Sequence, residues 1–119
     1  MNVLVTGGLG YIGSHTVVEL IKAGHEPIIV DDLSNAKRNV LDRIQMITDI
    51  RPTFYELDCK NVEGLRKVFF NHEIDAVIHF AAYKAVGESV QKPLQYYRNN
   101  LDSTFSLLEV MEEYNCKKF

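Results

Sequence analysis

A glycine-rich turn near the start of this 119-residue chain constrains its fold more than any other feature. Residues 6–13, TGGLGYIG, directly follow an apolar run over residues 1–5 and open an amphipathic helix. Four of the chain's seven glycines fall in this segment, and glycine permits both the positive φ of a tight turn and a close approach to bare backbone. The pattern predicts a strand, a turn and a helix whose first amides face a bound anion.

Two glycine spacings fit the turn. Gly8, Gly10 and Gly13 match GxGxxG, the phosphate-binding pattern of dinucleotide folds. Gly7, Gly10 and Gly13 match the wider GxxGxxG of the short-chain dehydrogenases. Either spacing alone has little specificity, but strand, glycines, helix and a following acid occur here in the order that a dinucleotide site requires.

An acidic pair stands where a dinucleotide site needs one. Asp31 and Asp32 follow a second apolar run, and Asp31 lies 18 residues beyond Gly13. A carboxylate at the end of the second strand accepts hydrogen bonds from both ribose hydroxyls of adenosine and opposes a 2′-phosphate. The pattern predicts NAD in preference to NADP, while Lys37 and Arg38 lie close enough in sequence to keep NADP as the alternative.

The rest of the chain alternates between helix and strand patterns. Residues 53–57 and 76–80 predict strands, whereas Asn39 and Asn61 predict helix starts. Such alternation predicts one α/β domain over residues 1–119, with a Rossmann-like parallel sheet in the order 3-2-1-4 and helices on both faces. The sequence stops where a fifth strand would begin, so we expect the domain to be truncated before strand five.

Each predicted helix carries an apolar stripe that should pack on the sheet. In the first three helices the stripes are Ile12, Thr16, Val17, Leu20 and Ile21; Val40, Leu41, Ile44 and Ile47; and Val62, Leu65, Val68 and Phe69. A long helix is predicted from Pro93 to about Tyr114 because proline suits a first turn. We expect its stripe in the core, with a subunit interface as the alternative. That stripe is Leu94, Tyr97, Leu101, Phe105, Leu108 and Met111, widened by Tyr96, Leu107 and Val110.

Composition narrows the function classes. A net charge of −3 with mixed signs argues against nucleic acid and anionic membranes as partners. We find neither a secretory signal nor an apolar run long enough to span a membrane. Cys59 and Cys116 predict two free thiols in a cytoplasmic protein. The four histidines do not lie at ligand spacing, so we expect hydrogen-bonded structural histidines and no metal site.

Ligands of such a sheet bind outside the carboxyl ends of the strands, at the switch between strands one and four. The glycine turn, the acidic pair, Asp58 with Cys59, and residues 80–84 follow the four strands and should line one cleft. Asp58 is placed to accept from an adenine amino group, although a solvated loop acid explains it equally well. Ala81 and Ala82 are small enough for a dinucleotide to pass close above them.

Three segments resemble one known family closely. They are VTGGLGYIG at residues 5–13, DDLSN at residues 31–35 and HFAAYKAVGESV at residues 79–90, the last being the most specific. Together they resemble the amino-terminal part of the UDP-glucose 4-epimerase family, whose members are extended short-chain dehydrogenases. Members of that family are considerably longer than this chain, hold NAD tightly and interconvert UDP-glucose and UDP-galactose in galactose metabolism. The resemblance implies that hydride leaves C4 of the sugar and returns to its other face.

The resemblance also implies a set of NAD contacts and, for a full-length member, a UDP-sugar substrate. Combined with the glycine and strand-end residues above, the candidate cofactor-binding residues are Gly7, Gly10, Tyr11, Ile12, Gly13, Asp31, Asp32, Leu33, Ser34, Asn35, Ala36, Asp58, Cys59, Phe80, Ala81, Ala82, Tyr83, Lys84 and Asn99.

No catalytic residue of that family is expected in this chain. The family's catalytic Ser or Thr, and the Tyr and Lys of its YxxxK helix, follow the fifth strand, whereas this sequence stops at Phe119. Tyr114 and Lys118 do spell YxxxK, but at the far end of the long helix, so we interpret that match as coincidental. The chain alone is expected to be inactive.

Three functions stay open on the sequence. The chain is the NAD-binding part of such an epimerase, a non-catalytic nucleotide-binding or interaction module, or a fragment of a related NAD-dependent sugar-nucleotide dehydratase or decarboxylase. The segment KAVGESV disfavours the last. In the resembling family the corresponding long helix contributes to a dimer interface, and strand four would be a free edge, so we expect a homo-oligomer.

Overall fold

The computed structural model describes residues 1–82 and 90–119. Within them, strands and helices alternate along the chain. In order they are β1 (Asn2–Thr6), α1 (Tyr11–Lys22), β2 (Glu26–Asp31), α2 (Val40–Thr48), β3 (Thr53–Glu56), α3 (Val62–Asn71), β4 (Ala76–His79) and α4 (Pro93–Glu113). All pairings between strands are parallel, and the sheet order is β3-β2-β1-β4. The predicted Rossmann-like fold is confirmed.

Helices cover both faces of the sheet through two apolar clusters. Leu4 and Ile28 belong to the cluster beneath α3 and α4, whereas Val5 and Ile29 belong to the cluster beneath α1 and α2. All four side chains are completely buried. Because successive residues of a strand point to opposite faces, a central strand covered on both sides is apolar throughout. This explains why β1 and β2 are recognisable in the sequence as unbroken apolar runs.

The strand register places four chain segments at one edge of the sheet. Thr6, the last residue of β1, pairs with Val30 on one side and with His79 on the other. Asp31, the last residue of β2, pairs with Glu56 at the end of β3. The loops that follow all four strands therefore leave the sheet at the same edge, with the topological switch between β1 and β4.

Helix starts follow the sequence signals only in part. The Asn61 side chain accepts a hydrogen bond from the Gly64 amide at 2.9 Å, as expected of an N-cap. Asn39 also occupies an N-cap position, but its side chain makes no cap hydrogen bond. There the first turn is preceded by a tight turn in which Val40 N donates to the Lys37 carbonyl.

The predicted core-facing stripe of α4 is wrong for five of its six main residues and correct for the three that widen it, Tyr96, Leu107 and Val110. Of its six residues only Met111 is buried; the exposed ones are Leu94, Tyr97, Leu101, Phe105 and Leu108. The buried residues of α4 are Tyr96, Ser103, Leu107, Val110 and Met111. The buried side of α4 is less apolar than the exposed one, since it includes Ser103, which is only 3% exposed. Counting apolar residues selects the wrong side.

Two further stripe residues are exposed. Ile12 lies in the first turn of α1, beyond the edge of the sheet, and is 57% exposed. Ile47 lies outside the cluster that buries Leu41 and Ile44.

The prediction that β4 forms a free edge is also wrong in part, since Val77 N donates to the carbonyl of Lys118 at 2.9 Å.

Two adjacent leucines lie on different faces of α4, Leu107 on the buried face and Leu108 on the exposed face. Leu107→Ala should lower the free energy of unfolding by about 2–5 kcal/mol, because Leu107 is completely buried and leaves a cavity. Leu108→Ala, the matched control, should change it by no more than about 0.5 kcal/mol in protein dilute enough to be monomeric, because Leu108 is 41% exposed in the single chain. Urea denaturation measures both, and equal losses would contradict this assignment of faces.

Candidate functional site

A cleft of about 410 Å³ opens at the carboxyl edge of the sheet. This volume lies in the range of about 300–1,000 Å³ that is typical of small-molecule sites. The structure brings sixteen of the candidate residues into its wall. They are Gly7, Gly10, Tyr11, Ile12, Gly13, Asp31, Asp32, Ser34, Asn35, Ala36, Asp58, Cys59, Phe80, Ala81, Ala82 and Asn99. Tyr83 and Lys84 lie outside the described residues.

The sequence did not predict three of the residues that line the cleft. Val30 and Leu57 are the apolar residues immediately before Asp31 and Asp58, and Ser103 lies one turn after Asn99 on α4. A small polar residue four positions beyond Asn99 shares its side of a helix, which was the available signal for Ser103.

Close contact between the glycine turn and α1 forms one end of the cleft. Gly7 has φ +68°, and a Cβ added there would lie 2.8 Å from the backbone nitrogen of Ala81. A Cβ added to Gly13 would lie only 2.1 Å from the Gly7 carbonyl oxygen. Neither position can accept a side chain without moving backbone. The turn therefore offers a bare backbone surface at the switch between β1 and β4.

The structure distinguishes the two glycine spacings. Gly7, Gly10 and Gly13 all line the cleft. Gly8 instead faces the core, where an added Cβ would lie 2.7 Å from the Ile29 side chain. The cleft therefore uses the wider GxxGxxG spacing.

The amino end of α1 opens into the cleft. Its N-cap, Gly10, has extended backbone and provides no side-chain cap hydrogen bond. The first amides of a helix have no partner within the helix, and the helix dipole makes them attractive to an anion. Tyr11 and Ile12, the first two residues of α1, have exposed side chains at the same place. This geometry fits a phosphate or diphosphate group.

Asp31 joins the end of β2 to the glycine turn. Its side chain is buried, with Oδ2 accepting from Leu9 N at 3.1 Å and Oδ1 accepting from Leu33 N at 2.9 Å. Each carboxylate oxygen carries two acceptor positions, so both amides leave room for hydrogen bonds from a ligand hydroxyl. The carboxylate is thereby fixed in orientation at the wall of the cleft.

Leu33 is the one described candidate residue that does not line the cleft. It adopts a left-handed conformation with φ 62°, uncommon for a residue other than glycine. The hydrogen bond from its amide to Asp31 holds this conformation, and its side chain packs on the cluster beneath α1 and α2. Its neighbours Ser34, Asn35 and Ala36 line the cleft instead.

Asp58 and Cys59 follow β3 and differ sharply in environment. The exposed Asp58 carboxylate accepts from Lys60 N at 2.9 Å and lies 3.7 Å from Lys60 Nζ. Burial raises the pKa of the Cys59 thiol to about 12, and the charge of Asp58 acts in the same direction. A hydrogen bond with the Thr6 hydroxyl opposes the shift without cancelling it. Cys59 is therefore a neutral, structural thiol.

A short polar chain lies below the cleft floor. The Thr6 hydroxyl is 2.6 Å from His79 Nδ1, and the Thr104 hydroxyl is 3.4 Å from His79 Nε2. Ala81 N also donates to the Thr6 hydroxyl at 3.3 Å. His79 thus connects β1 and β4 with α4, in agreement with the structural role predicted for it.

The other histidines have local partners as well. His25 Nδ1 lies 3.1 Å from the amino terminus, and His72 Nε2 lies 2.7 Å from the Tyr55 hydroxyl. His15 contacts the edge of the Tyr11 ring. Within the described residues no group of three or more metal-ligating side chains comes together. None of the helices described there is both long and apolar enough to cross a membrane.

The YxxxK match of the last helix lies away from the cleft. Lys118 pairs with Ala76, the first residue of β4, at the amino edge of the sheet. Tyr114 packs near Phe69, with ring centroids 5.7 Å apart. The pair is therefore at the edge opposite the glycine turn.

The profile of the NAD dependent epimerase/dehydratase family matches residues 3–119. The chain belongs to this family. Membership confirms the resemblance found in the sequence and agrees with the position of the cleft. The family is NAD dependent, and the cleft presents a glycine turn, an uncapped helix end and a carboxylate to any such ligand.

Individual members give a sharper comparison. The UDP-glucose 4-epimerase of Bacillus subtilis is 55% identical over 118 residues, which are 99% of this chain and 35% of that protein. A UDP-glucose 4-epimerase of Klebsiella pneumoniae is 50% identical over 119 residues, 86% of that protein. The UDP-glucose 4-epimerase structure from Bifidobacterium longum, in complex with NAD+ and UDP, has a TM-score of 0.96 at 46% identity, covering 98% of this chain and 35% of that one.

The chain thus spans about a third of the length of the Bacillus subtilis and Bifidobacterium longum relatives. It aligns with 98% or more of its own length in each of these three comparisons.

The raised pKa of Cys59 predicts slow thiol labelling. In a Cys116→Ser variant, the remaining thiol should react with a disulfide reagent at pH 8 about a thousandfold slower when folded than when unfolded, because raising its pKa from 9.0 to about 12 lowers the thiolate fraction by about three powers of ten. The rate should increase with pH towards about 12, the pKa of the folded thiol. Absorbance of the released reagent measures it. A folded chain labelled as fast as the unfolded one would contradict a buried, neutral Cys59.

Proposed function

We propose that this chain is the NAD-binding part of an enzyme that interconverts UDP-glucose and UDP-galactose. The observation that carries the proposal is the arrangement of Gly7, Gly13 and the uncapped end of α1 opposite the Asp31 carboxylate in one cleft. The relatives named as UDP-glucose 4-epimerases support the substrate, and the Bifidobacterium longum complex supports both NAD and a UDP group. On this proposal residues 1–119 act as a partial NAD-binding domain.

Each part of the cleft has a role in this proposal. The amides at the start of α1 bind the diphosphate of NAD, and Asp31 accepts from the adenosine ribose hydroxyls. Asp58 accepts from the adenine amino group, and the small Ala81 and Ala82 leave space for the dinucleotide to pass. When bound, NAD would supply the hydride chemistry that epimerisation at C4 of the sugar requires. Tyr83 and Lys84 remain candidate contacts on the resemblance alone, because they lie outside the described residues.

Acid–base chemistry has no evident source in the part of the cleft that the structure describes. A tyrosine acting as acid and base needs a cation that lowers its pKa. Tyr114 and Lys118 lie at the opposite edge of the sheet. The role of the described residues is therefore to bind and orient the cofactor.

We also infer a cytoplasmic location, which the two free, buried thiols support.

The Asp31 carboxylate should determine the preference for NAD over NADP. Asp31→Asn should weaken NAD binding about ten- to hundredfold, because losing a charged acceptor costs roughly 1.5–3 kcal/mol. Asp32→Asn is the matched control: Asp32 lines the same cleft but is exposed, and should have a smaller effect. Calorimetric titration with both cofactors measures this, while thermal melting checks that each variant is folded. Equal wild-type affinity for NAD and NADP, or equal effects of the two variants, would contradict the assignment.

Activity measurements test the two other functions, a non-catalytic binding module and a fragment of a sugar-nucleotide dehydratase or decarboxylase. The 119-residue chain with added NAD should convert no UDP-galactose to UDP-glucose in an assay coupled to UDP-glucose dehydrogenase. Turnover that survives Tyr114→Phe would reveal another base and overturn this expectation, whereas turnover lost in that variant would make Tyr114 catalytic. If the chain bound NAD but no UDP-sugar, a non-catalytic module would be favoured. Conversion of a UDP-sugar to a dehydrated or decarboxylated product would favour the third function, a fragment of a dehydratase or decarboxylase.

We further infer that the chain forms a homo-oligomer through the outer face of α4. Support comes from the exposed stripe of Leu94, Tyr97, Leu101, Phe105 and Leu108, which extends along about four turns of the helix. A contiguous apolar surface of this kind marks an interaction site.

Light scattering across a dilution series tests the oligomer. The wild type should be a dimer or larger, and Leu101→Lys should shift it to monomer by placing a charge within the stripe. Asp102→Lys is the control, since it adds a lysine at the next, also exposed, position outside the stripe. A monodisperse wild-type monomer at high concentration would defeat this inference.

A further inference from the structure

Arg38, in the loop between β2 and α2, is bound to strand β3. Its Nη2 donates to Glu56 Oε1 at 2.5 Å, and its guanidinium carbon lies 5.2 Å from the centre of the Phe54 ring. Both partners belong to β3. A planar guanidinium suits simultaneous contact with a carboxylate and an aromatic face. These contacts give Arg38 a defined position although its side chain is largely exposed.

The partner of Arg38 stands beside the proposed ribose carboxylate. Glu56 and Asp31 are register partners on adjacent parallel strands, about 4.8 Å apart along the hydrogen-bonding direction. Two residues earlier, the partners Phe54 and Ile29 both join the cluster beneath α1 and α2. Because alternate residues of a strand share a face, Glu56 and Asp31 also point to that side. The Arg38–Glu56 pair therefore lies next to the adenosine end of the cleft.

This position bears on the choice between NAD and NADP. A 2′-phosphate on the ribose is best recognised by an arginine, whose guanidinium matches phosphate geometry. Arg38 does not line the cleft, but it follows the lining residue Ala36 by two positions and is the arginine nearest in sequence to Asp31. Its guanidinium is instead bound to Glu56, which also adds a negative charge beside Asp31. Both effects oppose a phosphate at the 2′ position.

We propose that Glu56 is a specificity-determining residue: by binding Arg38 it keeps the cleft selective for a dinucleotide with a free 2′-hydroxyl. This inference rests on the proposed binding of NAD. Glu56 is not one of the lining residues and acts through Arg38 and through its own charge. The side chains of the pair are 58% and 55% exposed, and pairs of this kind are weak. Arg38 is therefore free to bind phosphate once Glu56 loses its charge.

Removal of that charge should relax the specificity. Glu56→Gln should increase the affinity for NADP about three- to tenfold, the size expected of one partly screened charge, while the affinity for NAD changes less than about twofold. Calorimetric titration of wild type and variant with NAD and NADP measures this. The gain should diminish as salt is added. Glu56→Ser provides a second neutral variant, and thermal melting checks the folding of each.

Two double variants identify the cation that is responsible. Adding Arg38→Ala to Glu56→Gln should remove the larger part of the gain in NADP affinity, because only the part due to the lost charge of Glu56 would remain. Adding Lys37→Ala, which removes the same charge from the exposed neighbouring residue, should leave it. An NADP affinity that stays unchanged in Glu56→Gln and Glu56→Ser, while the wild type prefers NAD, would overturn this inference and leave the proposed function intact. A gain that Arg38→Ala leaves undiminished would overturn it as well. A wild type that binds no NAD would contradict the proposed function itself.

Discussion

The contact between Gly13 of α1 and the Gly7 carbonyl is the constraint on which the rest of the site depends. An added Cβ at Gly13 would lie 2.1 Å from that oxygen, so the helix approaches the turn as closely as backbone allows. This approach points the amino end of α1 over the end of β1 and leaves it without a cap. A side chain at either position would move the helix away and leave its amides directed elsewhere.

Asp31 adds a second constraint, because it connects pieces that the chain keeps apart. Its two oxygens hold the amides of Leu9 and Leu33, which lie before α1 and after β2. The glycine turn and the loop after β2 are thereby fixed relative to each other before any ligand arrives. Such preorganisation reduces the ordering cost of binding. A single carboxylate thus has both a structural role and a proposed binding role.

The sequence predicted most of the fold and of the cleft for identifiable reasons. The central strands are covered on both faces and so give unbroken apolar runs, and the residues after them meet at one edge whatever the details of packing. The face of α4 could not be predicted in this way. Its sheet contact contains Ser103, whereas the exposed stripe is the more apolar one. The left-handed conformation of Leu33, whose side chain packs on the core, is accompanied by a hydrogen bond from its amide to Asp31, which no local pattern of residues reveals.

The two sides of α4 have a joint consequence. Asn99 and Ser103 line the cleft, while Leu101 and Phe105 point to the opposite, exposed side of the same helix. Thr104, between these sides, connects the helix to His79 beneath the cleft floor. A ligand on one side and a partner on the other would therefore act on one rigid body. Linkage is reciprocal, so whatever association does to ligand affinity, occupancy of the cleft must do equally to association.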